Sequence, residues 1–435
     1  RLDVVDMVNE GPEDWIGHGT HVAGTSISGG TPYTGMAKGA QGIMAKVFSR
    51  ESPGASDGDI MGSAAIALQK GVDVINLSLG SRGTSSDNLA RFFSQLTHQK
   101  NANGEYPFVV ASAGNSGPFD QTLSQPAAGE DVNATAAATV GEDDGIVEVS
   151  FYSSVGPDVD SRYAIKRLRL KPDITVKGGD VTTEPGSPNV YRRGVYSAKS
   201  KDMPKSPSDT EDGKHTGMSG TSMASPMLAG LALLVKLAIK VTGGMTPFLE
   251  ENMPLALKAV LMRTADDMKL PVWFQGAGFG NAWAAVKLVA SATGASLDGA
   301  MSRAWSKLTR ALPGRAAAAD AWDWIGRYKA VLALEDHVYS QAELAKGEAQ
   351  ARFEEGATED PETPPADRQA AGNAIHAEAV KKFNAARQEA LPALLEALKD
   401  PVWLVRRQAA LALLNLKVPE SALPLAEAAL NDEDG

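Results

Sequence analysis

Three polar side chains, each in a short glycine-punctuated stretch and far apart in the chain, have the residue types that acyl transfer needs. Ser222 stands in Gly217-Met218-Ser219-Gly220-Thr221-Ser222-Met223-Ala224-Ser225-Pro226, where a loop gives way to a long apolar run. His18 stands in Gly17-His18-Gly19-Thr20-His21-Val22-Ala23-Gly24, and Asn115 in Gly114-Asn115-Ser116-Gly117. A serine hydroxyl is a poor nucleophile until a base takes its proton, and an imidazole is suited to that work. The tetrahedral oxyanion then needs preorganised donors, which the Asn115 amide and the Ser222 N–H could provide. Each residue also has a plainer reading. Ser222 could be an N-cap serine, and Asn115 a turn residue that tolerates left-handed geometry. His18 and His21 at i and i+3 could be metal ligands, but no third ligand has a recognisable spacing, and the helical zinc-protease motif needs i and i+4 with a glutamate between. His21 reads as a packed structural histidine. The three residues in their local contexts favour chemistry over the plainer readings.

The elements that must hold them follow from pattern. Ser222 falls at the start of a helix running through Leu228, Leu231, Leu233, Leu234 and Val235, where unpaired N–H groups and the positive end of the dipole favour developing negative charge. This helix is apolar nearly all round and should be buried. Lys236 and Lys240 cut the run short of the roughly 20 residues of a membrane span. Leu2 to Val8, Gly42 to Phe48, Asp73 to Leu79 and Phe108 to Ala111 read as strands, alternating with helices at Asp59 to Lys70 and Asn88 to Gln99. Such alternation predicts a doubly wound parallel α/β sheet with helices on both faces. Ligands sit beyond the carboxyl ends of such strands, where Ser78-Leu79-Gly80 and Gly114-Asn115 fall. Residues 156 to 217 read as loop-rich surface insertions around a short apolar Ile174-Thr175-Val176, with further helices at Pro254 to Ala265 and Ala284 to Ala292.

Composition sets the bounds. The chain has 435 residues, room for two or three domains, and a formal charge of −11, with no electrostatic footprint for nucleic acid or an anionic membrane. It has no cysteine, which excludes disulfides and thiolate chemistry but leaves the compartment open.

The motifs carry a family resemblance. The stretches around His18 and Ser222 resemble the histidine and serine boxes of the subtilisin-like serine proteases (subtilases). Phe108-Val109-Val110-Ala111-Ser112-Ala113-Gly114-Asn115 resembles the strand and loop of the oxyanion asparagine, and Asp73-Val74-Ile75-Asn76-Leu77-Ser78-Leu79-Gly80 the substrate-binding strand. Weaker matches are residues 149 to 157 and Lys171-Pro172-Asp173-Ile174. The resemblance implies a serine endopeptidase acting on polypeptides through an acyl-enzyme. Ser222 would be the nucleophile, His18 the general base and Asn115 the oxyanion donor. Ser78, Leu79, Gly80, Ala113 and Gly114 would line the cleft and pair with an extended peptide. The chemistry implied requires no cofactor and no catalytic metal; structural calcium is not readable. The resemblance favours a secreted or extracellular protein, although no signal peptide is visible.

One departure stands out. Subtilases run Asp, His, Ser along the chain, and only Asp3, Asp6 and Asp14 precede His18. Asp14 matches a non-catalytic acidic position before the histidine box. Asp6 ends an apolar strand, but Met7-Val8 replaces the expected Ser/Thr-Gly, and too few residues separate it from His18 for the intervening strand. The expectation is that Leu2 to Val8 is the strand before the histidine helix and that the catalytic aspartate lies upstream of Arg1, so that these 435 residues are a fragment, inactive by themselves. Two alternatives compete: a catalytically degenerate subtilase scaffold, and a lipase or esterase, which the Gly-Thr-Ser-Met-Ala context disfavours.

The expected domains are a catalytic domain over 1–292, a helical connector over 293–353, an acidic proline-rich disordered linker over 354–368, and incomplete all-α HEAT-like repeats over 369–435. The repeats rest on an internal echo. Ala390-Leu391-Pro392 and Leu398-Lys399-Asp400 recur as Ala422-Leu423-Pro424 and Leu430-Asn431-Asp432, 32 residues on in each case, the length of a helix-pair unit. The tail is expected to offer a protein partner a surface.

Overall fold

The computed structural model describes residues 2–50, 54–140, 147–160, 167–180, 194–242, 245–293, 318–356 and 365–416. In chain order the first unit contains β1 (Leu2–Asp6), α1 (His18–Ile27), β2 (Gly42–Lys46), α2 (Asp57–Gln69), β3 (Val74–Leu77), β4 (Ser81–Arg82), α3 (Asn88–Leu96), β5 (Phe108–Ser112), β6 (Ser124–Gln125), β7 (Asn133–Val140) and β8 (Val147–Val149). Beyond these come the short β9 (Asp158–Asp160) and β10 (Arg167–Arg169), then β11 (Ile174–Lys177), β12 (Val195–Ala198), β13 (His215–Met218), α4 (Thr221–Val241), α5 (Pro247–Arg263), α6 (Val272–Gln275) and α7 (Ala282–Thr293).

The central sheet runs β11-β7-β5-β3, all parallel, with β8 added antiparallel on β7. A separate parallel pair joins β1 to β2. Strand β5 is buried on both faces, Phe108 to Ala111 being fully inaccessible, as expected of a strand covered on both sides. One core holds Val47, Ile60, Ala64, Ile75, Leu77, Phe93 and Val109, with Met7 and Ala45 packed against it. Strands β2 and β3, joined by α2, therefore share this core. Among the described residues β2 pairs only with β1, and β3 only with β5. Each presents a half-buried strand with one unpaired edge, which ordinarily finds a cover or a partner.

Helix α4 lies across this sheet, with Met223, Leu228, Leu231, Val235 and Ile239 buried. Lys236 and Lys240 do not end the helix. By length and composition it could cross a bilayer, yet 72% of its apolar window is buried inside the protein. Lys236 itself is buried and pairs with Asp73 and, at 2.6 Å, with Glu105, which also takes Lys240 at 2.7 Å. A buried cation is tolerated because it is paired, and this pairing pins the helix to the start of β3 and the segment before β5.

Several expectations change. Residues 156 to 217 are not merely surface insertions: β12 and β13 form an antiparallel pair, Val195 to Ala198 against His215 to Met218, which leads directly into the Ser222 turn. Helix α5 begins at Pro247, seven residues earlier than expected, and kinks at Asn252. Pro254 causes the kink, because it removes an N–H and crowds the preceding turn.

The second unit comprises Val159–Leu168 and Ala319–Gly435, with helices α8 (Ala318–Gly356), α9 (Pro365–Ala397) and α10 (Trp403–Asn415). Leu394, Leu398, Val405, Ala409, Ala412 and Leu413 are buried. Two differences follow. The segment read as linker is helical at Glu354–Gly356 and from Pro365 onward, and 357–364 lie outside the described residues. Of the segment read as connector, residues 294–317 lie outside the described residues and 319–353 belong to the helical unit: the Tyr339 ring meets Phe383 edge-on at 5.5 Å, and Asn415 donates to Glu335 at 2.9 Å. The repeated Ala422-Leu423-Pro424 and Leu430-Asn431-Asp432 lie outside the described residues.

Glu105 gives a test of the ion cluster. Partial burial raises its pKa, but the hydrogen bonds and charges of Lys236 and Lys240 outweigh this and lower it to about 2 from 4.5. Its contribution is thus present above pH 4.5 and lost as pH falls toward 2. Glu105→Gln should cost about 1 kcal/mol at neutral pH, discounted for its exposure, with the gap to wild type closing between pH 4.5 and 2. Urea melts across that range check it; a gap independent of pH would contradict the assignment.

Candidate active site

Asn115 follows β5, and Ser78 follows β3. The two strands are parallel with Leu77 opposite Ala111, so both residues emerge at the same carboxyl edge of the sheet. Helix α4 brings its first turn to that edge. The backbone N–H of Thr221 donates to Asn115 Oδ1 at 2.9 Å and the Thr221 hydroxyl donates to the same oxygen at 2.8 Å. Gly114 N–H donates to Thr221 Oγ1 at 3.2 Å. With Oδ1 committed to Thr221, the Asn115 NH2 is the end of the amide left for a ligand. Among the described residues the Ser222 N–H has no acceptor, as the first turn of a helix allows.

Two glycines are required by this join. Gly220 has φ 155°, which side chains other than glycine's rarely tolerate. Gly114 has φ 111°, and a Cβ there would collide with the hydroxyls of Ser124 and Ser154.

Ser222 Oγ donates to Ser78 O at 3.4 Å, a long bond that leaves the hydroxyl free to turn. Ser78 Oγ donates back to Ser222 O at 2.9 Å and receives Asn76 Nδ2 at 3.0 Å. Ser225 donates to Asn76 Oδ1. The expected cleft residue Ser78 is therefore tied to the Ser222 turn, and Ala113 and Gly114 sit beside it at the end of β5. Leu79 packs against the core, and Gly80 leads into the short β4.

His18 opens α1. Helices α1 and α4 pack together through Val22 and Met223, with Val195 of β12 in the same cluster, and Ser26 Oγ donates to Pro226 O at 3.0 Å. The helices run in the same sense, so their N-terminal residues His18 and Ser222 lie at one end. Among the described residues no hydrogen bond joins them; such bonds are often long before substrate arrives. Burial is the largest influence on His18 and pushes its pKa below the ordinary value, with the Asp14 carboxylate acting the other way.

His21 is a packed histidine. Its Nε2 meets Val195 O at 2.9 Å, and burial, the main cause, lowers its pKa to about 4. Among the described residues no group of three or more His, Asp or Glu is arranged to hold a metal.

Asp6 is occupied elsewhere: its oxygens accept the N–H groups of Val8 at 3.1 Å and Gly11 at 2.6 Å. Asp14 accepts N–H groups at the start of α1. Sequence reasoning missed Thr221, Asn76 and Ser225 as the residues that fix Asn115 and Ser78. Thr221 and Ser225 lay within the serine box and Asn76 within the strand that resembles the substrate-binding one, but nothing local marked them as partners of Asn115 and Ser78.

The family model described as the subtilase family matches residues 5–280. The chain belongs to the subtilase family. A model of HEAT repeats matches residues 355–435. Among relatives, this subtilase is 34% identical over 234 residues to a subtilisin of Bacillus sp. (strain TA39), covering 52% of this chain and 47% of that protein. It is 31% identical over 251 residues to the serine protease AprX of Bacillus subtilis (strain 168), covering 54% and 52%. It is 31% identical over 261 residues to proteinase T of Parengyodontium album, covering 58% and 70%. The chain thus spans about half the length of the first two relatives. Solved structures to which the chain is similar include the prenylagaramide maturation protease PagA (TM-score 0.46, 23% identity, 66% of this chain and 86% of that one). A lanthipeptide protease is another (TM-score 0.48, 21% identity, 66% and 80%).

His21 should titrate near pH 4 by histidine NMR. Its neutral form stabilises the fold above pH 6.5, and that contribution is lost as pH falls toward 4. A midpoint at or above 6.5 would contradict its burial.

Proposed function

We propose that this subtilase domain is the catalytic part of a serine endopeptidase in which Ser222 is the nucleophile, His18 the general base and Asn115 the oxyanion donor. The observation that carries the reading is the clamp of Thr221 on Asn115 Oδ1, which leaves the amide NH2 and the Ser222 N–H as two donors beside one hydroxyl. Ser222 Oγ attacks the peptide carbonyl carbon as His18 takes its proton. The oxyanion accepts from Asn115 and Ser222. The C–N bond then breaks, and His18 passes the proton to the departing amine. Water, deprotonated by His18, attacks the ester, and Ser222 regains its proton as the acid leaves. No cofactor enters these steps.

The polypeptide substrate would lie extended beside Ser78-Leu79-Gly80 on one side and Ala113-Gly114 on the other, adding a strand by main-chain bonds. The helical unit would present a protein-interaction surface, as HEAT repeats do in stacked arrays.

The carboxylate that should orient His18 is not supplied by Asp6 or Asp14, whose oxygens serve backbone N–H groups. We infer that it comes from a strand outside these 435 residues, seated between the edges of β2 and β3 that are unpaired among the described residues and ending in an aspartate near the start of α1. A degenerate scaffold is the second reading; the commitment of Asp6 and Asp14 favours it only if no such strand exists.

A fluorophosphonate probe should label Ser222 in the enzyme carrying that strand, and labelling that persists in Ser222→Ala would sink the assignment. Residues 1–435 alone should have kcat on the order of 10⁴-fold lower than the strand-bearing form. Equal turnover by the two on a chromogenic peptide would show that the acid is already present.

A further inference from the structure

Asp14 has no role in the steps above, yet its carboxylate grips the residues on both sides of His18. Oδ1 accepts the Gly17 N–H at 2.9 Å. Oδ2 accepts the Thr20 N–H at 2.8 Å and the Thr20 hydroxyl at 2.7 Å. The helix needs this help. Its N-cap is Gly17, at φ 76° and with no side chain to cap the first turn, so the orphan N–H groups there are met from three residues upstream. Asp14 is in turn held from a distant part of the chain: its own N–H donates to Asp202 Oδ2 at 3.3 Å, and Met203 from the same loop fills the space beside Gly17.

The geometry points to Asp14 as a positioning residue for the general base, fixing the first turn of α1 in the orientation that presents the His18 imidazole to Ser222. This rests on the reading of His18 as that base. A carboxylate in this place also opposes the loss of basicity that burial imposes on His18. The other charged or titratable groups around the turn do not take its place. His21, on the same helix, is buried and neutral above about pH 4. Lys46 of β2 bonds Gly11 O and Glu13 O and pairs with Glu10. Lys201 pairs with Asp202, and His215 of β13 lies near Asp212. Helix α4 brings no acidic residue in its first turn.

Asp14→Asn replaces one acceptor oxygen with an NH2 that cannot accept from Thr20, and removes the charge. Two readouts test it. In the 435-residue chain, histidine NMR should show the His18 midpoint moving to lower pH. In the strand-bearing enzyme, kcat per active site titrated with fluorophosphonate should fall on the order of 10²-fold, with KM nearly unchanged and the pH–rate midpoint displaced the same way. A merely structural role would lower the melting temperature and the number of titratable sites while moving neither midpoint nor kcat per site, and that result would overturn the proposal. If Asp14→Asn does not fold, Thr20→Val decides. It removes one bond to the carboxylate and keeps the charge, so kcat per site should drop several-fold at an unchanged midpoint; no drop would overturn the proposal. The general-base reading is judged separately. Should His18→Ala keep full kcat while the NMR midpoint still responds to Asp14→Asn, His18 is not the base and only its placement by Asp14 stands.

Discussion

The pair of bonds from Thr221 to Asn115 Oδ1 is the constraint on which the site depends. It joins the last turn of a fully buried strand to the first turn of the longest helix of the domain. Asn115 is exposed at that edge, and Thr221 supplies two donors that fix its amide oxygen. The consequence is directional. With its oxygen engaged, Asn115 can offer only its NH2, and the position of that group relative to Ser222 is set by the Thr221 N–H and hydroxyl together. Gly114 and Gly220 supply the positive φ values of the join, 111° and 155°, and the Asn76–Ser225–Ser78 bonds extend it to the neighbouring strand.

The rigidity behind the clamp comes from buried charge that is paired. Lys171 and Lys258 share the buried Asp173, at 2.7 Å and 2.9 Å. Asp173 also accepts the Ala134 N–H at 2.7 Å, tying β7 to the segment before β11 and to α5. Burial lowers the Lys171 pKa to about 8 in spite of Asp173, whereas Asp173 is held below its ordinary value by the two ammonium groups despite its own burial. Removing one partner of such a group costs far more than the pair contributes. Lys236 with Asp73 and Glu105 acts in the same way at the opposite end of α4.

Much of the candidate site was legible because its residues lie in short, contiguous stretches. His18, Ser222 and Asn115 each sit where a glycine-bounded loop meets a regular element, and local patterns of that kind survive without knowledge of the fold. The alternating strands and helices up to β5 were legible for the same reason, since each carries its own periodicity. What was not legible depends on partners far away. Val195 to Ala198 and His215 to Met218 are short, and become a strand pair only by facing each other and α1. Asn76 and Ser225 look ordinary until the fold brings them together. The helix over 318–356 reads as a connector because its partners, Phe383 and Asn415, lie beyond a proline-rich segment that composition marks as a break. Asp14 read only as a non-catalytic acidic position before the histidine box, because its three acceptor bonds depend on the helix geometry that follows it.

The central claim is that the Thr221 clamp aims Asn115 at developing negative charge. Its most direct test is the affinity of the strand-bearing enzyme for a peptide boronic acid, which forms a tetrahedral anion on the nucleophile, set against the affinity for the matching peptide carboxylate product. Wild type, Asn115→Ala and Thr221→Val would be compared by titration calorimetry. The account predicts that both variants lose on the order of 10²-fold in boronate affinity while product affinity stays within about two-fold of wild type. Undiminished boronate binding by Thr221→Val, beside a clear loss in Asn115→Ala, would mean that Asn115 is aimed by something other than the clamp and would contradict the account.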